Sequence, residues 1–255
     1  MRTNLIKTKE LPKVVEPSTT DGMLDMVIAF DTTGSMSAYI NAVKTHVKEL
    51  VPKLFSSNPD LRIGGVAFGD YCDMKAPTLY GKAYQVLDLT NDENKIIKFI
   101  NEAQNTSGGD GDEFYELVIK KITKETVWRE GSTKAVLLIA DAAPHKVGYS
   151  YKGIVSNAQI DWREEAKKAS ELGIKFDTMT IDPMYVEWYK ELSAMTNGVS
   201  VPFKNSGKTS QVIEAAALSR GGTRTKAMYM ATMDSVKDDV ELSAVYTAYS
   251  KEVTD

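Results

Sequence analysis

The chain has 255 residues, enough for one generous α/β domain and short for two. Hydrophobic residues make up 42%, which supports a full core and excludes wholesale disorder. A net charge of −4 argues against a nucleic-acid binder or a polybasic membrane surface, and a single cysteine, Cys72, rules out an intramolecular disulfide framework and a cysteine-based zinc site.

Residues 1–22 carry two prolines and the turn-like run Ser18-Thr19-Thr20-Asp21-Gly22, which read as an N-terminal arm. No apolar stretch of signal-peptide length follows its basic residues. The longest apolar runs are strand-sized, so the expectation is a cytoplasmic protein with no membrane span. Residues 24–30 form such a run, bounded by turn chemistry, and predict a buried strand. Beyond a loop at 31–35, Ile40, Val43, Val47, Leu50 and Leu54 share one helical face, in a helix expected to be disturbed near Pro52.

The pattern then repeats. Strands are expected at 62–68 and 84–87, and helices over 94–104 and 112–124. In the second helix Asp112 and Glu113 suit the first turn, where the helix dipole favours acids. The segment 134–140 is the most apolar and predicts a central strand covered on both faces. A helix over 161–172 should stop at Gly173, followed by a strand at 174–181 and a helix over 185–195 that ends at Asn197-Gly198. A last strand is expected at 199–203 and a helix over 210–218; Gly221-Gly222 then breaks the chain before a final helix within 227–249. The organisation is an arm (1–22), a domain (23–220) and a helical extension (221–255). Strands alternating with helices predict a doubly wound α/β fold: a mostly parallel sheet flanked by helices.

In such a sheet ligands bind outside the carboxyl ends of the strands, so the loops there carry the functional reading. Asp31-Thr32-Thr33-Gly34-Ser35-Met36-Ser37 follows the first strand, and Asp141-Ala142-Ala143-Pro144-His145 follows the central one. Between them, Thr106-Ser107-Gly108-Gly109-Asp110-Gly111-Asp112-Glu113 enters a helix. Asp31, Thr33 and Ser35 alternate, so their side chains can converge, with Asp110 and Asp141 as the next oxygen donors. This oxygen-only set suits Mg²⁺, Mn²⁺ or Ca²⁺. Capping of the following helix explains the first loop alone equally well. Asp141 has no capping duty, and the three loops in combination favour the metal.

Taken together these loops resemble von Willebrand factor A domains. Asp31-x-Thr33-x-Ser35 is similar to their Asp-x-Ser/Thr-x-Ser signature. Residues 107–113 resemble a variant second loop in which Asp replaces Thr, and Asp141-Ala142-Ala143-Pro144-His145 resembles their third loop. The likeness, over roughly 23–205, is to the A domains beside atypical α-kinases and in stand-alone bacterial and phage proteins. It implies a six-stranded sheet with a short antiparallel edge strand at 84–87. It also implies a metal-ion-dependent adhesion site of Asp31, Thr33, Ser35, Asp110 and Asp141. Three carboxylates on one divalent ion would leave the site with negative charge in excess, holding the ion tightly but welcoming an acidic ligand less.

The expected function is therefore non-catalytic: a metal-dependent platform that recruits a protein partner through its metal face. The alternative is an assembly subunit with a vestigial metal site, its copies joined through the terminal extensions. A metal-dependent hydrolase is disfavoured, since haloacid-dehalogenase chemistry would need an acid where Thr33 stands. No phosphate-binding Gly-x-x-x-x-Gly-Lys-Ser/Thr run occurs, and with only two histidines no serine triad is suggested. His145 is expected to make a structural hydrogen bond, His46 to be solvated, and Trp162, Trp188 and Tyr185 to pack.

Overall fold

The structure, a computed structural model, describes residues 22–75, 82–152 and 154–254. The expected N-terminal arm lies outside these residues apart from Gly22. Six strands, β1 (Leu24–Asp31), β2 (Leu61–Phe68), β3 (Tyr84–Thr90), β4 (Thr133–Ala140), β5 (Ile174–Thr180) and β6 (Ser200–Pro202), form one sheet in the order β3-β2-β1-β4-β5-β6. Every neighbouring pair is parallel except β2 with the edge strand β3, which is antiparallel. The order reverses direction between β1 and β4, so the ligand crevice of this topology opens at the carboxyl ends of those two strands.

Among the described residues eight α-helices cover the sheet: α1 (Ser37–Ser57), α2 (Glu93–Glu102), α3 (Tyr115–Glu125), α4 (Trp162–Glu171), α5 (Val186–Met195), α6 (Thr209–Ser219), α7 (Thr223–Ser235) and α8 (Val240–Thr254). The period of two along each strand decides which helices meet which side chains. Met26, Ile28 and Phe30 of β1, with Ala135, Leu137 and Ile139 of β4, face a core completed by α1, α2, α6, α7 and α8. Val27 and Ala29, with Val136, Leu138 and Ala140, face a second core against α3, α4 and α5. Each fully buried Leu, Ile or Val contributes about 1.5–3 kcal/mol relative to exposure, so two covered faces explain why these strands tolerate so little polarity. At Gly65 a Cβ would sit 2.3 Å from the Phe99 ring; its absence lets α2 lie close on β2.

Three local expectations change. α1 runs straight through Pro52. The carbonyl that loses its amide partner belongs to Lys48, which is exposed, so water can satisfy it. α3 begins only at Tyr115, because Glu113 is held in extended pairing beside Pro144 and its N–H donates to Ala143 O at 2.9 Å. The final helix is two helices: α7 stops near Val236, and Asp239 opens α8 by accepting from Leu242 N at 3.1 Å.

The C-terminal pair packs on its own domain. Tyr229, Leu242, Val245, Tyr246 and Tyr249 are buried in the first core, and the Tyr229 hydroxyl donates to the Tyr246 carbonyl. Arg220, at the end of α6, binds Asp177 of β5 through Nε at 2.7 Å and also reaches Glu252 of α8. At the amino end of β1, buried Asp25 accepts from Arg62 (2.9 and 2.7 Å) and from Arg129 Nε and backbone N (2.8 Å each). Burial would raise its pKa, but these bonds together outweigh it and hold the carboxyl below its ordinary value.

Candidate metal centre

Asp31 is the last residue of β1 and is fully buried. Its Oδ1 accepts from Thr33 N at 2.7 Å and Thr33 Oγ1 at 2.6 Å; its Oδ2 accepts from the Tyr115 hydroxyl at 2.6 Å. These bonds fold the loop back on the strand end. Neither the short 3₁₀ turn at Gly34–Met36 nor α1 receives a side-chain cap, so capping does not account for the loop. Burial pushes the Asp31 carboxyl up to about 7 against these hydrogen bonds, and the charge of Asp141 adds to the rise.

Ser35 is exposed and its hydroxyl lies 3.5 Å from Thr33 Oγ1. Ser35 also lies beside the half-buried carboxylate of Asp141, just past β4, close enough to lower its pKa. Burial raises the pKa of Asp141; Ser35 opposes the rise and Asp182, after β5, adds to it. Asp31, Thr33, Ser35 and Asp141 therefore share the crevice at the switch point. Two carboxylates and two hydroxyls, all oxygen and two of them short of charge compensation, fit a hard divalent cation.

Asp110 goes elsewhere. It sits on the exposed rim of the loop before α3, where its Oδ2 accepts from the Tyr149 hydroxyl at 2.8 Å. Its ligand atom lies within 4.8 Å of those of Asp70 and His145, a grouping that does not include Asp31 or Asp141. His145 is buried, its Nε2 lies 2.6 Å from Asp70 Oδ1, and its ring stacks on Tyr149 at 3.7 Å between centroids. Burial lowers the pKa of the imidazole, but the bond to Asp70 and the nearby acids leave it above its ordinary value. Thus the expected structural hydrogen bond is present.

Several residues that build this edge had no such role in the sequence reading. Tyr115 joins two strand-end loops, because its hydroxyl also accepts from Ala142 N at 3.2 Å. Asp73, in a 3₁₀ turn after β2, receives Ser107 N at 3.0 Å and Gly108 N at 3.3 Å and so fixes the middle loop. Thr32 bonds Phe68 O at 2.8 Å and meets Thr106 Oγ1 at 3.0 Å, tying the first loop to β2 and to the middle loop. Glu113 is buried with Oε2 unpartnered, and burial together with Asp31, Asp70, Asp73 and Asp110 pushes its pKa up to about 10. Asp70 lies two residues past the end of β2, a strand-end acid that was present in the sequence. Trp162 and Trp188 pack edge to face at 5.5 Å, as expected of packing residues.

Comparison with known proteins agrees with this architecture. The alpha-protein kinase vwkA of Dictyostelium discoideum is 28% identical over 130 residues, which make up 49% of this chain and 19% of that protein. The similarity thus spans about a fifth of that relative's length. The pilus adhesin SpaC from Lactobacillus rhamnosus GG, in its open conformation, superposes with a TM-score of 0.55 at 14% identity, over 81% of this chain and 30% of that one. The SpRpn10 VWA domain superposes with a TM-score of 0.47 at 14% identity, over 74% of this chain and 94% of that one. Residues 25–225, which hold all three strand-end loops, match the model of the von Willebrand factor type A domain, and the chain belongs to that family.

Proposed function

We propose that this chain is a metal-ion-dependent protein-binding module with no catalytic activity of its own. The convergence of Asp31, Thr33, Ser35 and Asp141 at the switch point carries the reading. These residues would hold Mg²⁺, or Mn²⁺ or Ca²⁺, through oxygen donors alone. The bound ion would supply a coordination position for an oxygen of the partner protein. The chain's own contribution is to preset the donors: Tyr115 and Thr33 fix Asp31, and Ser35 sits between Thr33 and Asp141. A cytoplasmic setting in a bacterial or phage complex belongs to the same proposal. No described helix is long and apolar enough to cross a membrane.

Packing of α7 and α8 on their own domain favours recruitment of a different protein over assembly of copies through that end. The test is thermal melting in chelator, with and without Mg²⁺, Mn²⁺ or Ca²⁺, for the wild type and Asp31→Ala. A ligand that binds only the folded state raises its melting temperature. The rise is expected in the wild type and not in the variant, and partner capture should then require the ion. No response of the wild type to any of the three ions would refute the reading.

A further inference from the structure

Outside the set that Asp31 anchors, the same edge of the sheet holds a second and chemically different grouping. Asp70 comes from the turn after β2, Asp110 from the loop before α3 and His145 from the loop after β4, with ligand atoms all within 4.8 Å of one another. Three separate segments meet there, and what they bring is one imidazole and two carboxylates.

Two features mark the place as built for a ligand. Two side chains more than nine-tenths buried keep carboxylate oxygens there with no hydrogen-bond partner among the described residues: Asp70 Oδ2 and Glu113 Oε2. Glu113 faces Asp31, Asp70, Asp73 and Asp110 electrostatically, so its unpartnered oxygen lies among acids. Buried polar atoms left without a partner are costly, and two in one place call for an occupant. In addition, the surroundings hold the donors in position. The Tyr149 hydroxyl bonds Asp110 while its ring stacks on His145, and Glu116 accepts from His145 N at 3.1 Å while it takes the Tyr71 hydroxyl at 2.7 Å. Partners that orient ligands from behind are characteristic of metal sites.

We propose that Asp70, Asp110 and His145, backed by Glu113, form a second cation site that takes a first-row divalent transition metal such as Mn²⁺, Fe²⁺ or Zn²⁺. The imidazole sets the preference, because nitrogen with carboxylate suits these ions, whereas an oxygen-only set suits Mg²⁺ or Ca²⁺. Three protein donors leave room for water, and exposed Asp110 provides the entry. His145 Nε2 and Asp70 Oδ1 now share a hydrogen bond; on metal binding its proton would leave to solvent and both atoms would become available as donors. The chain would then carry two ions of different character on one edge of the sheet.

The experiment uses Co²⁺ as probe on the metal-stripped full chain, with calorimetry for stoichiometry and proton NMR for ligand identity, in the wild type, His145→Gln and Asp31→Ala. The expected wild type takes up two Co²⁺. His145→Gln should lose one of them, with affinity at that site at least tenfold weaker, and Asp31→Ala should lose the other. A single wild-type Co²⁺ that His145→Gln abolishes and Asp31→Ala retains would support this site and remove the oxygen-only one. Unchanged uptake in His145→Gln overturns the proposal. Should that variant fail to fold by circular dichroism, the loaded wild type decides: a hyperfine-shifted imidazole N–H resonance supports ligation by histidine, and its absence overturns it.

Discussion

The Tyr115 hydroxyl donates to Asp31 Oδ2 at 2.6 Å and accepts from Ala142 N at 3.2 Å, so one oxygen on α3 links the carboxyl ends of β1 and β4. Tyr115→Phe keeps the ring and removes that oxygen, leaving a buried carboxylate oxygen and a buried amide without it. The expected cost is about 1–3 kcal/mol in urea unfolding, with the metal-dependent rise in melting temperature reduced. A loss well below that range would mean the link is not rigid enough to position Asp31.

Arg220 and Asp177 form an ion pair that is almost wholly buried and reaches α8 through Glu252. Arg220→Met leaves Asp177 uncompensated and should destabilise the fold by about 3–5 kcal/mol, whereas replacing both charges together with apolar residues should cost much less. Limited proteolysis is the second readout: α8 should be cut earlier in the single variant. Equal stability of single and double variants would show that Arg220 and Asp177 do not couple α6 to β5.

At Gly198 a Cβ would fall 2.0 Å from the Phe176 carbonyl oxygen, a backbone atom that cannot swing away. Gly198→Ala should therefore force β5 and β6 apart and cost about 1–3 kcal/mol or more. Gly111 has open space at the equivalent position, and Gly111→Ala is the control, expected within about 0.5 kcal/mol of wild type. Denaturant midpoints of the two variants decide the matter, since the chemical change is identical.

Asp25 supplies a pH dependence with a definite sign. Its folded pKa lies below the ordinary 3.8, so the folded state releases the proton more readily than the unfolded chain. The resulting stability is present above pH 3.8 and is lost as pH falls through the folded value. Asp25→Asn should lower stability at neutral pH by about 1.5–3 kcal/mol and flatten the acid limb of the stability curve. An acid limb of wild-type slope in the variant would show that other carboxylates govern acid unfolding.

Most of the sheet was legible because its central strands, covered on both faces, are apolar runs closed by an acid. Asp31 and Asp141 could be placed for that reason alone. Asp110 could be named but not located, since a tyrosine in a distant loop, Tyr149, decides where its carboxylate points. Glu113 carried the local look of a first-turn acid, and pairing beside Pro144 removed it from the helix. Asp70 and Asp73 were visible as acids after β2. Their role depends on the middle loop folding over them, a tertiary event with no local signature.

The inward face of α8 has a consequence for what counts as a domain here. Likeness to the family ends at residue 225, yet Leu242, Val245, Tyr246 and Tyr249 lie beyond that point and close the same core as β1 and α1. The unit that descent defines is thus shorter than the unit that excludes water. A fragment trimmed to the inherited boundary would keep every residue of the crevice and still present a stripped apolar wall to solvent, prone to self-association.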